Sequence, residues 1–221
     1  LYKGEWQAAW GAAEAVLAVK SVLVDLNDAA ATLPNSYNSV ENITPLETPL
    51  SSTINGAALA TPVFLSLYAE NDLRLDKYFA ETDEKGFRKN KKAGSNNYLC
   101  TFRVGEIYLT AAEAAARLGE LSQARTRLLE LMRKRYAPEA YEAKSVDVNA
   151  MDKEALLQEI LDERARELAF EGHRWFDLRR STRPRLEKVL DGTRYVLEEN
   201  DARYTLAIPK EAIEANPGLL N

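Results

Sequence analysis

Between Arg103 and Arg135 lies the pattern that most constrains this fold. Ile107, Ala111, Ala115 and Leu118 recur at helical spacing, with Tyr108 and Ala112 beside them. Gly119 follows, at the position where a helix end favours a left-handed residue. A second periodic run starts almost at once, from about Ser122 to Arg135, with Ala124, Leu128 and Leu131 facing inward. Two helices joined by so short a link must fold back antiparallel. The small residue after the turn, Ala124, lets them cross closely, which matches tetratricopeptide spacing.

The flanking segments extend this helical reading. Trp6, Trp10, Ala13 and Leu17 define one face of a helix expected from Glu5 to about Leu33, where Pro34 stops it. Asp152 is a good N-cap for a third block whose stripe includes Leu156, Ile160, Leu161 and Leu168 and runs to Glu171. Gly172 then permits a turn, and Arg174–Arg180 resumes as a short helix. A short helix or strand is expected around Val63–Tyr68, and a short strand over Tyr204–Ile208. The fold class is therefore mostly α, built on tetratricopeptide-like helix pairs, with long loops and little β. One helical domain, 1–221, is expected, with a variable loop region at 34–60.

Composition removes several functions. Among 221 residues, 29 basic side chains face 34 acidic ones, for a net charge of -5. A nucleic-acid binder needs a basic surface, so none is expected. No apolar run approaches the ~20 residues of a spanning helix. With one cysteine, Cys100, and one histidine, His173, neither an internal disulfide nor the usual zinc site can be assembled. Cys100 sits in an apolar stretch and reads as a buried, inert thiol. No Gly-x-Ser-x-Gly elbow accompanies His173, so a serine triad is not expected.

The remaining candidates for chemistry are charged clusters. Glu106 and Glu113 lie two helical turns apart, near the ~6.5–9.5 Å carboxyl gap of inverting glycosidases. Both rise from one helix with little to tune a general acid, and Arg103 is placed to pair with Glu106 at i,i+3. Glu163, Glu167 and Glu171 repeat every four residues, but the residue three before His173 is Phe170, so no di-iron Glu-x-x-His motif exists. With Arg164, Arg166 and Arg174 interleaved, they read as an ion-pair lattice. Glu171, His173, Arg174 and Asp177 read as a buried polar network, with Trp175 and Phe176 in the core. Lys85 to Lys92 reads as a solvated loop. Asn35, Tyr37 and Asn38 lie in a long Asn/Ser/Thr/Pro segment, and an exposed aromatic beside amides is what sugar rings and hydroxyls require.

The segment ERARELAFEGHRWFDLRR (Glu163–Arg180) resembles the C-terminal signature of the SusD/RagB family, outer-membrane glycan-capture lipoproteins of Gram-negative bacteria. Three more segments resemble the family in the same order: NDLRLDKYF (Asn71–Phe79), FRVGEIYLTAAEAAARLGE (Phe102–Glu120) and YTLAIPKEAIEANPGLLN (Tyr204–Asn221). The resemblance implies a SusD-like α superhelix with no catalytic residue, no cofactor and no metal. It implies capture of an oligosaccharide or polysaccharide and delivery to a SusC-like TonB-dependent transporter at the extracellular face of the outer membrane. Membrane attachment would come only through a lipid anchor outside this chain, which is expected to lack the family's N-terminal half. Asn35, Tyr37 and Asn38 fall where family members place ligand aromatics. Glu167, Glu171, His173, Arg174 and Asp177 carry over as structural residues. The alternative is a helical-repeat scaffold that binds protein and no glycan.

Overall fold

The computed structural model describes residues 1–44, 59–92, 102–190, 192–216 and 218. They form two compact units, Leu1–His173 and Arg174–Asn221. The chain is mostly α with little β, as the periodicity predicts.

The first unit is organised around helix α4. Its helices are α1 (Trp6–Val19), α2 (Pro62–Leu65), α3 (Arg74–Tyr78), α4 (Val104–Leu118), α5 (Leu121–Met132), α6 (Pro138–Ala150) and α7 (Lys153–Glu167). α4 packs against α1, α5 and α7. Three neighbours fit around one helix because Ala111, Ala112, Ala114, Ala115 and Ala116, all fully buried, keep its surface shallow. Gly119 takes φ 90° and its N–H closes onto the Ala115 and Ala116 carbonyls, which ends α4 as the sequence requires. The core continues through Leu109, Leu128, Leu131, Met132, Val148, Leu156 and Ile160. At the start of α7, Asp152 accepts a hydrogen bond from the Ala155 N–H at 2.9 Å.

Two small antiparallel sheets complete this unit. β1 (Asn42–Thr44) pairs with β5 (Phe102–Arg103). β2 (Leu59–Ala60), β3 (Phe79–Thr82) and β4 (Arg88–Asn90) form a sheet in the order β2–β4–β3. A second core cluster lies here, where Phe64, Tyr68, Phe79 and Phe170 meet edge to face.

Several expectations are corrected. The first helix ends at Val19, well before Leu33, and Lys20 is already extended at φ -143°. The following backbone is claimed by distant partners: the Leu26 N–H donates to the Lys134 carbonyl at 2.9 Å, and the Val24 N–H donates to Glu41 at 2.9 Å. These bonds outcompete helix propagation through a Val-rich stretch. Lys85 to Lys92 is not simply a solvated loop, because β4 crosses it as a central strand and Lys92 is buried. Around Val63–Tyr68, the regular element is the helix α2, capped by the Thr61 side chain. α6 went unseen because its only buried residue is Val148, so no apolar stripe marks it. Cys100 and residues 45–58 of the variable loop lie outside the described residues.

The second unit holds α8 (Arg174–Arg180), the hairpin β6 (Leu186–Leu190) and β7 (Thr193–Leu197), and α9 (Lys210–Ala215). Instead of the strand expected over Tyr204–Ile208, a 3-10 turn spans Ala202–Tyr204. It brings Tyr204 into a parallel stack with Trp175, centroids 5.3 Å apart. Phe176, expected in the core, is exposed.

Candidate functional site

The loop before β1 is a chain of tight turns. The Ser36 N–H donates to the Leu33 carbonyl, Ser39 to Ser36, and Asn42 to Ser39, each at 3.0 to 3.1 Å. The Asn42 side-chain amide donates to the Ser36 carbonyl at 2.8 Å and to the Tyr37 carbonyl at 2.6 Å. Lys20 Nζ donates to the Asn42 carbonyl from the C-terminal end of α1. Against this frame the Tyr37 ring stands 51% exposed, and Asn38 faces solvent. Asn35 turns inward and is buried. Among the three residues, Tyr37 and Asn38 thus present a surface, and Asn35 belongs to its support.

What fixes the loop is Glu41, four residues beyond Tyr37. Its carboxylate is fully buried. One oxygen accepts from the Val24 N–H at 2.9 Å and from Arg135 at 2.6 Å. The other accepts from Arg103 at 3.0 Å. Its backbone carbonyl accepts from the Val104 N–H at 2.9 Å, at the first residue of α4.

Glu41 is one member of a buried network of ten charges. Arg74 bridges Asp72, Glu163 and Glu167. Arg103 bridges Glu41, Glu167 and Glu171. Arg135 joins Glu41 to Glu167, Lys92 reaches Glu171, and Arg166 pairs with Glu163 at 2.8 Å. Among the described residues five buried cations meet five buried carboxylates, so these ten charges cancel; Arg166 also reaches out to the part-buried Glu159 at 2.6 Å, and most atoms of the ten side chains have no contact with water. Neutrality and saturation of the polar atoms are what make such burial tolerable. Burial alone raises a carboxyl pKa, yet Arg135, Arg103 and Arg74 hold Glu167 well below the usual carboxylate range. Burial likewise opposes ionisation of Glu163 and Glu171, and the arginines beside them win again, lowering both. Burial pushes Lys92 down to about 8, against the pull of Glu171.

Local sequence explains how these groups converge. Glu163 and Glu167 share a face of α7. Phe170 at φ 61° and Gly172 at φ 85° then bend the chain, and Glu171 meets Arg103, which Glu167 also binds. Gly105 gives the network room: a Cβ there would lie 2.5 Å from Arg103 Nη1 and 3.1 Å from carboxylate oxygens of Glu41 and Glu167. Those acids gather at the N-terminus of α4, where the helix dipole favours negative charge.

The lattice expected around Glu163, Glu167 and Glu171 exists with different cations. Of Arg164, Arg166 and Arg174, Arg166 joins it, and Arg164 points to Glu113 at 3.9 Å. Arg74, Arg103 and Arg135 come from elsewhere in the chain. Arg103 does not pair with Glu106 along the helix, because it caps α4 and reaches back to three other acids. Glu106 faces the half-buried His173 at 3.8 Å, and Tyr2 approaches the same imidazole at 3.5 Å. Glu113 is fully buried beside Arg117, at 3.3 Å. In the second unit Asp177 is buried and bonds Arg180 at 2.6 Å, while Arg174 is exposed. Among the described residues, no three His, Cys, Asp or Glu side chains gather as a metal site. No described helix is long and apolar enough to cross a membrane.

Residues 57–221 match the model of the SusD family. The chain belongs to the SusD family. Among solved structures, it resembles a Bacteroides vulgatus ATCC 8482 protein at 26% identity and TM-score 0.71, covering 98% of this chain and 55% of that one. A SusD superfamily protein from Bacteroides fragilis matches with TM-score 0.67 and 22% identity, over 98% of this chain and 52% of that one. A SusD-like carbohydrate binding protein from Bacteroides vulgatus ATCC 8482 matches with TM-score 0.64 and 19% identity, over 96% of this chain and 55% of that one. The chain thus spans little more than half the length of these structures. No curated protein matches it in sequence. Three of the SusD-like segments recognisable in the sequence converge on the ion network: Asn71–Phe79 supplies Asp72 and Arg74, Phe102–Glu120 supplies Arg103 and Gly105, and Glu163–Arg180 supplies Glu163, Arg166, Glu167 and Glu171. Glu41, Lys92 and Arg135 were not found by motif: Glu41 is a lone acid in a loop, while Lys92 and Arg135 each end a run of basic residues that reads as solvated surface.

Proposed function

We propose that this SusD-family chain belongs to a non-catalytic cell-surface protein that captures an oligosaccharide and passes it to a TonB-dependent outer-membrane transporter. The observation that carries the reading is Tyr37, a half-exposed ring on a loop whose backbone is fastened by turns and by Glu41. A ring held in place can stack on the apolar face of a sugar without first being ordered, which lowers the entropic cost of binding. Asn38 beside it offers amide hydrogen bonds to hydroxyls. Capture depends on stacking and hydrogen bonds, so Glu106 and Glu113 have no bond-breaking role. Extracellular, lipid-anchored placement on the outer membrane accompanies this reading.

Calorimetric titration of the full-length protein against a panel of neutral and acidic polysaccharides tests the reading, together with an assay for released reducing sugar. Binding without release is expected. Release that disappears in Glu106→Gln would replace capture by hydrolysis, and no binding to any glycan would favour the protein-binding scaffold.

A further inference from the structure

A second surface in the first unit has the make-up of a ligand site. A groove of about 590 Å3 opens between the extended segment after α1, the N-terminal part of α4, α5 and the residues that follow it, and α6. That volume lies within the ~300–1,000 Å3 of small-molecule sites. Its walls include Leu23, Leu129, Tyr108 and Tyr141. Tyr108 spends its hydroxyl proton on the Ser21 carbonyl at 3.1 Å, which fixes the wall between α1 and α4.

The charges in this groove are unequal. Glu130 is paired with Arg127 at 2.7 Å, and Lys134 with Asp25 at 2.8 Å. Arg133 has no carboxylate partner among the described residues. Its guanidinium lies over the Tyr141 ring, 5.5 Å from the centroid. A planar fork of donors, oriented by an aromatic face and lacking an acid, is suited to accept a carboxylate bidentately. The adjoining apolar walls suit a ring attached to that carboxylate. A neutral sugar would leave the fork unused, and a bare inorganic anion would leave the walls unused.

We infer that this groove is a subsite for an acidic sugar, a hexuronate unit, with Arg133 binding the carboxylate and Tyr141 backing the guanidinium. This rests on the glycan-capture reading above and narrows its substrate class to chains that include uronic acid.

The test is calorimetry on the full chain with trigalacturonate and with its methyl ester, which keeps the rings and removes the charge. Wild-type protein should bind the acid about ten- to hundredfold more tightly than the ester, the range a charge-assisted pair supplies. Arg133→Gln should remove that preference, and Arg133→Lys should restore only part of it. Arg133 is exposed, so both variants should keep the wild-type melting temperature. Equal binding of acid and ester, a preference that survives Arg133→Gln, or tighter binding of a peptide with a free C-terminal carboxylate would each overturn the assignment. Neutral-glycan binding lost in Tyr37→Ala but unaffected by Arg133→Gln would leave the capture reading standing while the uronate subsite fell, so the two fail separately.

Discussion

Glu41 accepts a hydrogen bond from Arg135 at 2.6 Å, in the interior, across 94 residues of sequence. That one pair ties the loop carrying Tyr37 to the end of the α4–α5 helix pair. The same carboxylate also binds Arg103 and the Val24 backbone, so the loop, the extended segment after α1 and the start of α4 are held at a single point.

Replacing Glu41 by Gln keeps the shape and removes the charge. Arg103 and Arg135 would then face a shortage of negative charge in a fully buried site. The expected loss of stability is about 3–5 kcal/mol, the range for breaking a buried pair. Urea unfolding checks this, and a change below about 1 kcal/mol would show that the network tolerates an unmatched cation. Glycan affinity should also fall in this variant, although Glu41 touches no sugar, because the Tyr37 loop loses its anchor.

Gly105→Ala sets two effects against each other. Alanine gains about 1 kcal/mol of helix propensity over glycine. Its methyl would approach Arg103 to 2.5 Å, and Arg103 cannot withdraw without leaving three carboxylates. The clash should win, for a net destabilisation of about 1–3 kcal/mol. A raised melting temperature in this variant would mean that the network has slack at the α4 N-terminus.

Acid should unfold the protein through the same cluster. Glu163, Glu167 and Glu171 have folded-state pKa values below their usual 4.5. Stability from these groups is fully present above pH 4.5 and is lost as the pH falls through their lowered values. The urea midpoint should be level from pH 7 to about pH 5 and then decline. A midpoint that held constant down to pH 3 would contradict the assignment of these carboxylates as ionised.

How much of this was legible in sequence depends on range. The α4–α5 hairpin was readable because its signals are local: a stripe, Gly119, a second stripe. The Asp152 cap was readable for the same reason. The acids on α7 were readable as a row, but their partners were not, since Arg74, Arg103 and Arg135 approach from 32 to 93 residues away. Sequence proximity pointed to Arg164 and Arg174, and gave no sign of these three distant arginines. The early end of α1 was hidden likewise, because what stops it is a long-range bond from Leu26 to Lys134. At the candidate site, exposure of Tyr37 followed from loop composition, whereas burial of Asn35 and the anchoring by Glu41 needed the fold.

The most direct measurement is glycan affinity for Tyr37→Phe and Tyr37→Ala in the full-length protein, on a neutral glycan bound by wild type. Phenylalanine keeps the stacking face, so its dissociation constant should stay within a few-fold of wild type. Alanine removes the platform and should weaken binding about thirtyfold or more, as for a central aromatic contact of about 2 kcal/mol. Equal, unchanged affinity in both variants would place the sugar elsewhere and contradict the account.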